Sequence, residues 1–158
     1  MSQDIPYLDR VKIQAEILLP LFRRLREELG EARACELLRA AVAEYATRMG
    51  KAVGAQPGPD SLARLKRLVP AFTAGDALDL EPLADTDTDL RFNVRGCRYA
   101  QYFRELGEPL LGAILTCEID SPLTAAIGGD LALSRTQTIM GGASHCDFHW
   151  KLDTTRPR

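Results

Sequence analysis

Two hydrophobic periods divide this chain, and that division constrains its fold more than any other feature. Between residues 8 and 53 the apolar side chains recur every three or four positions; from residue 90 onward they recur in stretches at every second position. The first spacing lays apolar groups along one face of a helix, and the second places them on one face of a strand. Helices followed by strands predict an α+β fold, with N-terminal helices packed on a small antiparallel sheet that ends in a C-terminal β-hairpin. The 158 residues suffice for a single domain, residues 1–158, with a helical half at about 8–75 and a mixed half at about 90–152.

The helical half is punctuated clearly. Val11, Ala15, Leu18, Phe22, Leu25 and Leu29 form one stripe, stopped by Gly30, with Pro20 expected to kink or split the helix. A second stripe, Ala34, Leu37, Leu38, Ala41, Val42, Tyr45, Met49 and Val53, predicts a helix from about residue 31 to 53, closed by Gly54. Residues 55–61 read as a loop, with Asp60 or Ser61 capping a third helix through Leu68 and Pro70 lying beyond its end. Residues 75–89 are acidic and turn-rich and are expected to be a surface connection.

In the second half, Leu90, Phe92 and Val94 alternate with Arg91, Asn93 and Arg95, which predicts a half-buried strand. Helices are expected over 98–106 and 108–117, the latter opened by Pro109. Residues 121–130 hold a Gly-Gly turn. Alternation returns over 131–139 and again over 145–152, where Cys146, Phe148 and Trp150 share one face and His145, Asp147 and His149 the other. A Gly-containing turn joins these two segments, so they are expected to pair.

Composition excludes several functions. Lys plus Arg number 20 and Asp plus Glu 22, a net charge of -2, so the chain lacks the basic footprint of a nucleic-acid binder or of a polybasic membrane anchor. Aromatic residues make up 6%, too few for a stacking platform. No run of 18 apolar residues and no leader pattern appear, which leads to the expectation of no membrane partner and a cytoplasmic location. In that compartment Cys35, Cys97, Cys117 and Cys146 are expected to be reduced. Their gaps contain no CxxC pair, which removes zinc-finger and thioredoxin readings.

Reactive residues concentrate after residue 90 in three clusters at element ends: Asn93, Arg95, Cys97 and Tyr99; Cys117, Glu118 and Asp120; and His145, Cys146, Asp147 and His149. Spacing alone leaves each open to a bland reading, with Cys146 a core residue, His145 an exposed turn residue, and Arg135, Thr136 and Thr138 a solvated strand face.

Two of these segments carry a resemblance. Residues 92–120, FNVRGCRYAQYFRELGEPLLGAILTCEID, and 133–150, LSRTQTIMGGASHCDFHW, resemble the signature stretches of the L-2-amino-thiazoline-4-carboxylic acid hydrolase family. The motif residues fall on Asn93, Val94, Cys97 and Tyr99, on Glu105 to Gly107, on Cys117 and Asp120, and on Arg135 to Phe148. The likeness covers about residues 90–150; the helical half matches in general character, and His149 departs from the arginine more usual there. A more distant likeness is to vinyl-4-reductase-type ligand-binding domains, which also end in Cys-x-Phe. Their zinc ligands would fall near Arg135 and Thr138, neither of which replaces a zinc ligand.

The resemblance implies a hydrolase that opens a 2-aminothiazoline ring with water to give N-carbamoyl-cysteine. It implies a thiol nucleophile, either Cys117 or Cys146, with Asp120 and His145 as base and acid and Asp147 orienting the histidine. Arg135 or Arg95 would take the substrate carboxylate, and Asn93, Cys97, Tyr99 and Thr138 would complete substrate binding. No cofactor is expected, although a zinc-activated water on Cys97, Cys117, Cys146 and His145 is an alternative route. The expected partner is a small molecule, with a homo-oligomer open. Two other functions stay open: a non-catalytic small-molecule-binding module, and a relative acting on another biosynthetic intermediate.

Overall fold

The computed structural model describes residues 5–155 and shows an α+β architecture with helices on one face of a four-stranded antiparallel sheet. Three helices open it: α1 (Tyr7–Leu29), α2 (Glu31–Gly54) and α3 (Ser61–Thr73). Their inward faces carry Val11, Ala15 and Phe22 from α1, Ala34, Leu38, Val42 and Ala46 from α2, and Leu62 and Leu65 from α3. Three stripe residues, Leu29, Leu37 and Ala41, are instead exposed. Asp60 caps α3, its carboxylate accepting from the Ala63 N–H at 2.8 Å.

Neither proline ends its helix, which corrects the expected split at Pro20 and the expected end before Pro70. α1 runs unbroken through Pro20, and α3 runs through Pro70 to Thr73. Each proline is exposed, so its ring does not disturb the packed face, and tertiary packing outweighs the one lost backbone bond.

The sheet is ordered β1-β2-β4-β3, from β1 (Leu78–Asp85), β2 (Asp89–Cys97), β3 (Leu131–Ser134) and β4 (Cys146–Leu152). The segments at 90–95, 131–134 and 146–152 therefore join one antiparallel sheet as expected, with β3 and β4 paired from Leu131↔Leu152 to Ser134↔His149. The expected surface connection at 75–89 is mostly β1. It is an edge strand, where a proline is tolerated: Pro82 sits beside a register shift, while Leu78 and Leu80 turn inward.

Between β2 and β3 lie α4 (Arg98–Glu105), α5 (Pro109–Gly112), a π turn (Ala113–Cys117) and α6 (Asp120–Ile127). α6 occupies the segment in which only a Gly-Gly turn was expected; Gly128 and Gly129 come after its end. The run Pro109–Ile127 is long and apolar enough to cross a membrane, with a mean hydropathy of 1.4. A search for uninterrupted apolar residues passes over it because Glu118 and Asp120 break the run. In this fold its Leu111, Ile114, Ile119, Leu123 and Ile127 are buried among the other elements.

α2 crosses α6 at glycines. A Cβ on Gly50 would run into the Leu123 carbonyl and lie 2.7 Å from the Ala126 methyl, and one on Gly54 would lie 2.5 Å from the Ile127 carbonyl oxygen. In an open helix Gly→Ala stabilises, but here the close approach reverses the sign. Gly50→Ala is expected to lose about 1–3 kcal/mol, read as a lower midpoint in a urea titration.

Candidate functional site

A cavity of about 90 Å3 lies between the sheet and the helices, and side chains from eight of the elements, the π turn among them, line it. Its floor is aromatic. Phe92 from β2 and Phe148 and Trp150 from β4 sit 5.0–5.5 Å apart between ring centroids, with Phe148 and Trp150 stacked at 9°. Strand alternation explains this face, because Phe92 is directly opposite Phe148 in the β2–β4 register. The Trp150 indole N–H donates to Thr124 Oγ1 at 3.0 Å, fixing the floor to α6.

The polar wall comes from two places. The π turn and the start of α6 contribute Thr116, Cys117 and Asp120; the chain leaving β3 contributes Arg135 and Thr138. In the π turn the Glu118 N–H reaches back to the Ala113 carbonyl at 2.9 Å, and Thr116 Oγ1 donates to the Gly112 carbonyl at 2.7 Å. Such single wide turns insert a residue and re-aim the side chains beyond it, and they recur at functional sites. Arg135 donates through Nη1 to Asp120 Oδ2 and through Nη2 to the Cys117 carbonyl at 3.1 Å. Its guanidinium also lies 5.2 Å from the centroid of the Phe148 ring. The pair is largely enclosed, with Arg135 and Asp120 side chains 16% and 19% exposed.

Arg135 follows directly on the end of β3. The alternation over 131–139 predicted a longer strand, yet the ladder ends at Ser134. Asp147 on the neighbouring strand takes over the next donors. Its Oδ1 accepts the Thr136 and Gln137 N–H groups, each at 2.9 Å, and its Oδ2 accepts Thr136 Oγ1 at 2.6 Å. Desolvation alone would raise the Asp147 carboxyl, but these bonds favour the ionised form and hold it below the usual range.

The electrostatics of the inner wall derive from removal of water. Burial pushes the Asp120 carboxyl up to about 7, with Arg135 pulling against it. Burial also pushes the Cys117 thiol up to about 12, and it raises Cys97 and Cys146 against bonds their sulfurs accept from Ala100 and Ile139 N–H groups at 3.4 and 3.2 Å. All three thiols are therefore protonated near neutrality, while Asp120 exchanges its proton there. Cys97, Cys117 and Cys146 are free cysteines, as is the buried Cys35.

Of the residues singled out from the sequence, Cys97, Tyr99, Cys117, Asp120, Arg135, Thr138 and Cys146 line this cavity. The others are not brought to it. Asn93 and Arg95 alternate to the opposite face of β2, where both donate to Glu81 Oε2 at 2.8 Å. His145 bonds Ser144 and Gln137 outside the cavity, and Asp147 orients a loop rather than that histidine. Glu118 turns to α2, where its carboxylate accepts from Arg39 at 2.8 and 3.0 Å. His149 pairs with Asp89 at 2.7 Å. The zinc set built on His145 is not assembled: among the described residues no group of three or more His, Cys, Asp or Glu side chains is placed to hold a metal ion.

The sequence reading missed the third wall: Leu65, Val69 and Phe72 from α3, and Leu78 and Leu80 from β1. A signal was present in Leu78-Asp79-Leu80-Glu81, a short period-2 alternation inside the acidic stretch.

Among solved structures, the chain is similar to the crystal structure of the phenol-responsive sensory domain of the transcription activator PoxR with phenol. The TM-score is 0.54 at 17% identity, over 85% of this chain and 72% of that one, a likeness of fold. No curated protein matches the chain in sequence. A sequence model of the L-2-amino-thiazoline-4-carboxylic acid hydrolases matches residues 10–150, reaching through the helical half as well as the segments that carry the motifs. By that match the chain belongs to the L-2-amino-thiazoline-4-carboxylic acid hydrolase family.

Proposed function

We propose that the chain hydrolyses a small carboxylated cyclic amidine of the 2-aminothiazoline-4-carboxylate type, with Cys117 as nucleophile and Asp120 as its acid/base partner. One observation carries this reading: the enclosed Asp120–Arg135 pair beside Cys117 in the cavity. Such a substrate offers an amidinium and a carboxylate, the complements of Asp120 and Arg135. Substrate entry then exchanges one ion pair for two, and Asp120 is held ionised by the amidinium.

Ring opening and hydrolysis are two steps on one carbon. The Cys117 sulfur attacks C2 of the amidinium while Asp120 takes the thiol proton. The bond from C2 to the ring sulfur breaks, and Asp120 returns the proton to that leaving sulfur. This leaves an isothiourea joined to Cys117 through the former C2. Water then adds to that carbon with Asp120 as base, the Cys117 sulfur leaves and is reprotonated, and the product is an N-carbamoyl amino acid with a free thiol. A protonated resting thiol requires this coupled base, because the thiolate is the nucleophile.

The test is direct. The purified chain, offered 2-aminothiazoline-4-carboxylate, is expected to release one new thiol per turnover and a product heavier by one water. Bound but unchanged substrate would remove the hydrolytic reading. The apolar wall on α3 and β1 favours a second reading, a ligand-binding module like the phenol-responsive neighbour, and that outcome would select it.

Asp147 has a separate, testable part as a positioning residue for Arg135. Asp147→Ala is expected to raise KM for the carboxylated substrate about tenfold with kcat changed far less, since it loosens the carboxylate clamp and leaves Cys117 and Asp120 in place. A purely structural role would lower the active fraction and leave KM unmoved.

A further inference from the structure

α1 is apolar on two sides. Val11, Ala15 and Phe22 are buried in the core, while Ile13, Ile17 and Leu21 are 55%, 72% and 49% exposed. Ile13 and Ile17 each stand two residues from Ala15, about half a turn round the helix, so their row lies on the face turned to solvent. Single exposed apolar side chains are ordinary on a protein surface. A row of three, with the exposed Pro20 beside it, is a continuous water-facing ridge.

We infer that this ridge is a self-association surface, and that its occupant is the same ridge of a second copy laid antiparallel. Charge complementarity along one line of the helix carries the inference. Arg10, Ile13, Ile17, Leu21, Arg24 and Glu28 follow one another at alternating gaps of three and four residues that average one helical turn, so they run straight along the axis. An antiparallel pair with its twofold axis at residue 19 sets Ile17 against Leu21 of the second copy, and Leu21 against its Ile17. The same register sets Arg10 against Glu28 of the second copy at one end, and Glu28 against its Arg10 at the other. Ile13 then lies beside the methylene stem of its Arg24.

Other arrangements lose this match. A twofold axis at Ile17 sets Arg10 against Arg24, and a parallel pair stacks each charge on its own copy. Other charges of α1 pair within the chain: Lys12 with Asp9 at 3.6 Å, Arg24 with Glu27 at 3.1 Å, and Arg23 with Glu108 at 2.9 Å. Among the described residues Arg10 and Glu28 form no ion pair, so both are open to the second copy. The surface is self-complementary, so the assembly closes at two copies. None of its residues lines the cavity, and the inference stands apart from the hydrolytic reading.

Sedimentation velocity of the purified chain at low salt tests it. One helix from each copy makes an interface at the small end of the stable range, so the dimer is expected to predominate at about 100 μM and to dissociate towards about 1 μM. Ile17→Lys puts a charge in the middle of the ridge of both copies and should raise the dissociation constant by about a hundredfold or more. Because Ile17 is so exposed, its urea midpoint should stay near that of the wild type. Arg10→Glu should raise the constant about tenfold, since both ends then meet like charges, and adding Glu28→Arg should restore it. A chain that is monomeric at about 100 μM overturns the inference and leaves the ridge to a different protein. A dimer untouched by Ile17→Lys overturns it by using another surface. Failure of the double charge swap to restore what Arg10→Glu removes overturns the antiparallel register.

Discussion

Cys117→Ser is expected to lower kcat on a carboxylated 2-aminothiazoline by about a thousandfold or more while leaving the urea midpoint near that of the wild type. The sulfur lines the cavity and is only half-buried, so replacing it with oxygen removes little packing. The change instead deletes the proposed nucleophile, which in that reading splits ring opening from hydrolysis. Mass spectrometry under single-turnover conditions gives an independent signature. Ring opening expels no fragment, so the trapped wild-type intermediate should weigh the chain plus the whole substrate, and Cys117→Ser should show no such adduct. Cys146→Ser is the contrasting variant: Cys146 is 6% exposed on β4 and its sulfur accepts the Ile139 N–H, so its loss should appear mainly in stability. Near-normal turnover by Cys117→Ser would transfer the chemistry to a water molecule activated by Asp120.

Asp120→Asn tests that base, and kcat should fall about 10²–10⁴-fold. The wild-type kcat/KM should climb as pH rises through about 7, where Asp120 loses its proton, and the variant should lack that limb. Stability runs the other way. The folded-state value lies above the ordinary carboxylate range, so the folded chain binds the extra proton between about pH 4 and 7. The stabilisation from this group is complete below about pH 4 and is lost as pH rises through about 7. The ionisation state that the proposed mechanism uses is thus the less stable one. A urea titration series of wild type against Asp120→Asn across that window measures the fall, and a flat difference would show that Asp120 is already ionised at low pH.

The fold was legible where one period persisted. α2 and the strands at 90–95 and 146–152 are readable from stripes and alternation, because each buries one face against a single neighbour layer. β1 was hidden because an edge strand pairs on one side only and tolerates Pro82 and acidic side chains. The end of β3 was hidden for a different reason. Alternation over 131–139 continues past Ser134, but the Asp147 carboxylate replaces the strand partner, and such a side-chain capture leaves no periodic trace. The site divided along the same line. Cys117, Asp120 and Arg135 rested on motif resemblance and converge on one cavity. Proximity in sequence misleads for His145 and Asp147, since neighbours of Cys146 on a strand point away from it. The wall from α3 and β1 belongs to a segment with no motif at all.

Trp150 gives the cavity its own optical reporter. It is the chain's single tryptophan, it lines the cavity, and it stacks on the ring that Arg135 overlies. Every photon emitted on selective excitation therefore originates in the wall of the site. A ligand that draws Arg135 away from Phe148, or displaces water from the aromatic floor, changes the polarity around that indole. Occupancy can thus be timed from mixing onward in unlabelled protein, and the proposed reaction would add ring opening and product departure as separable phases of the same trace.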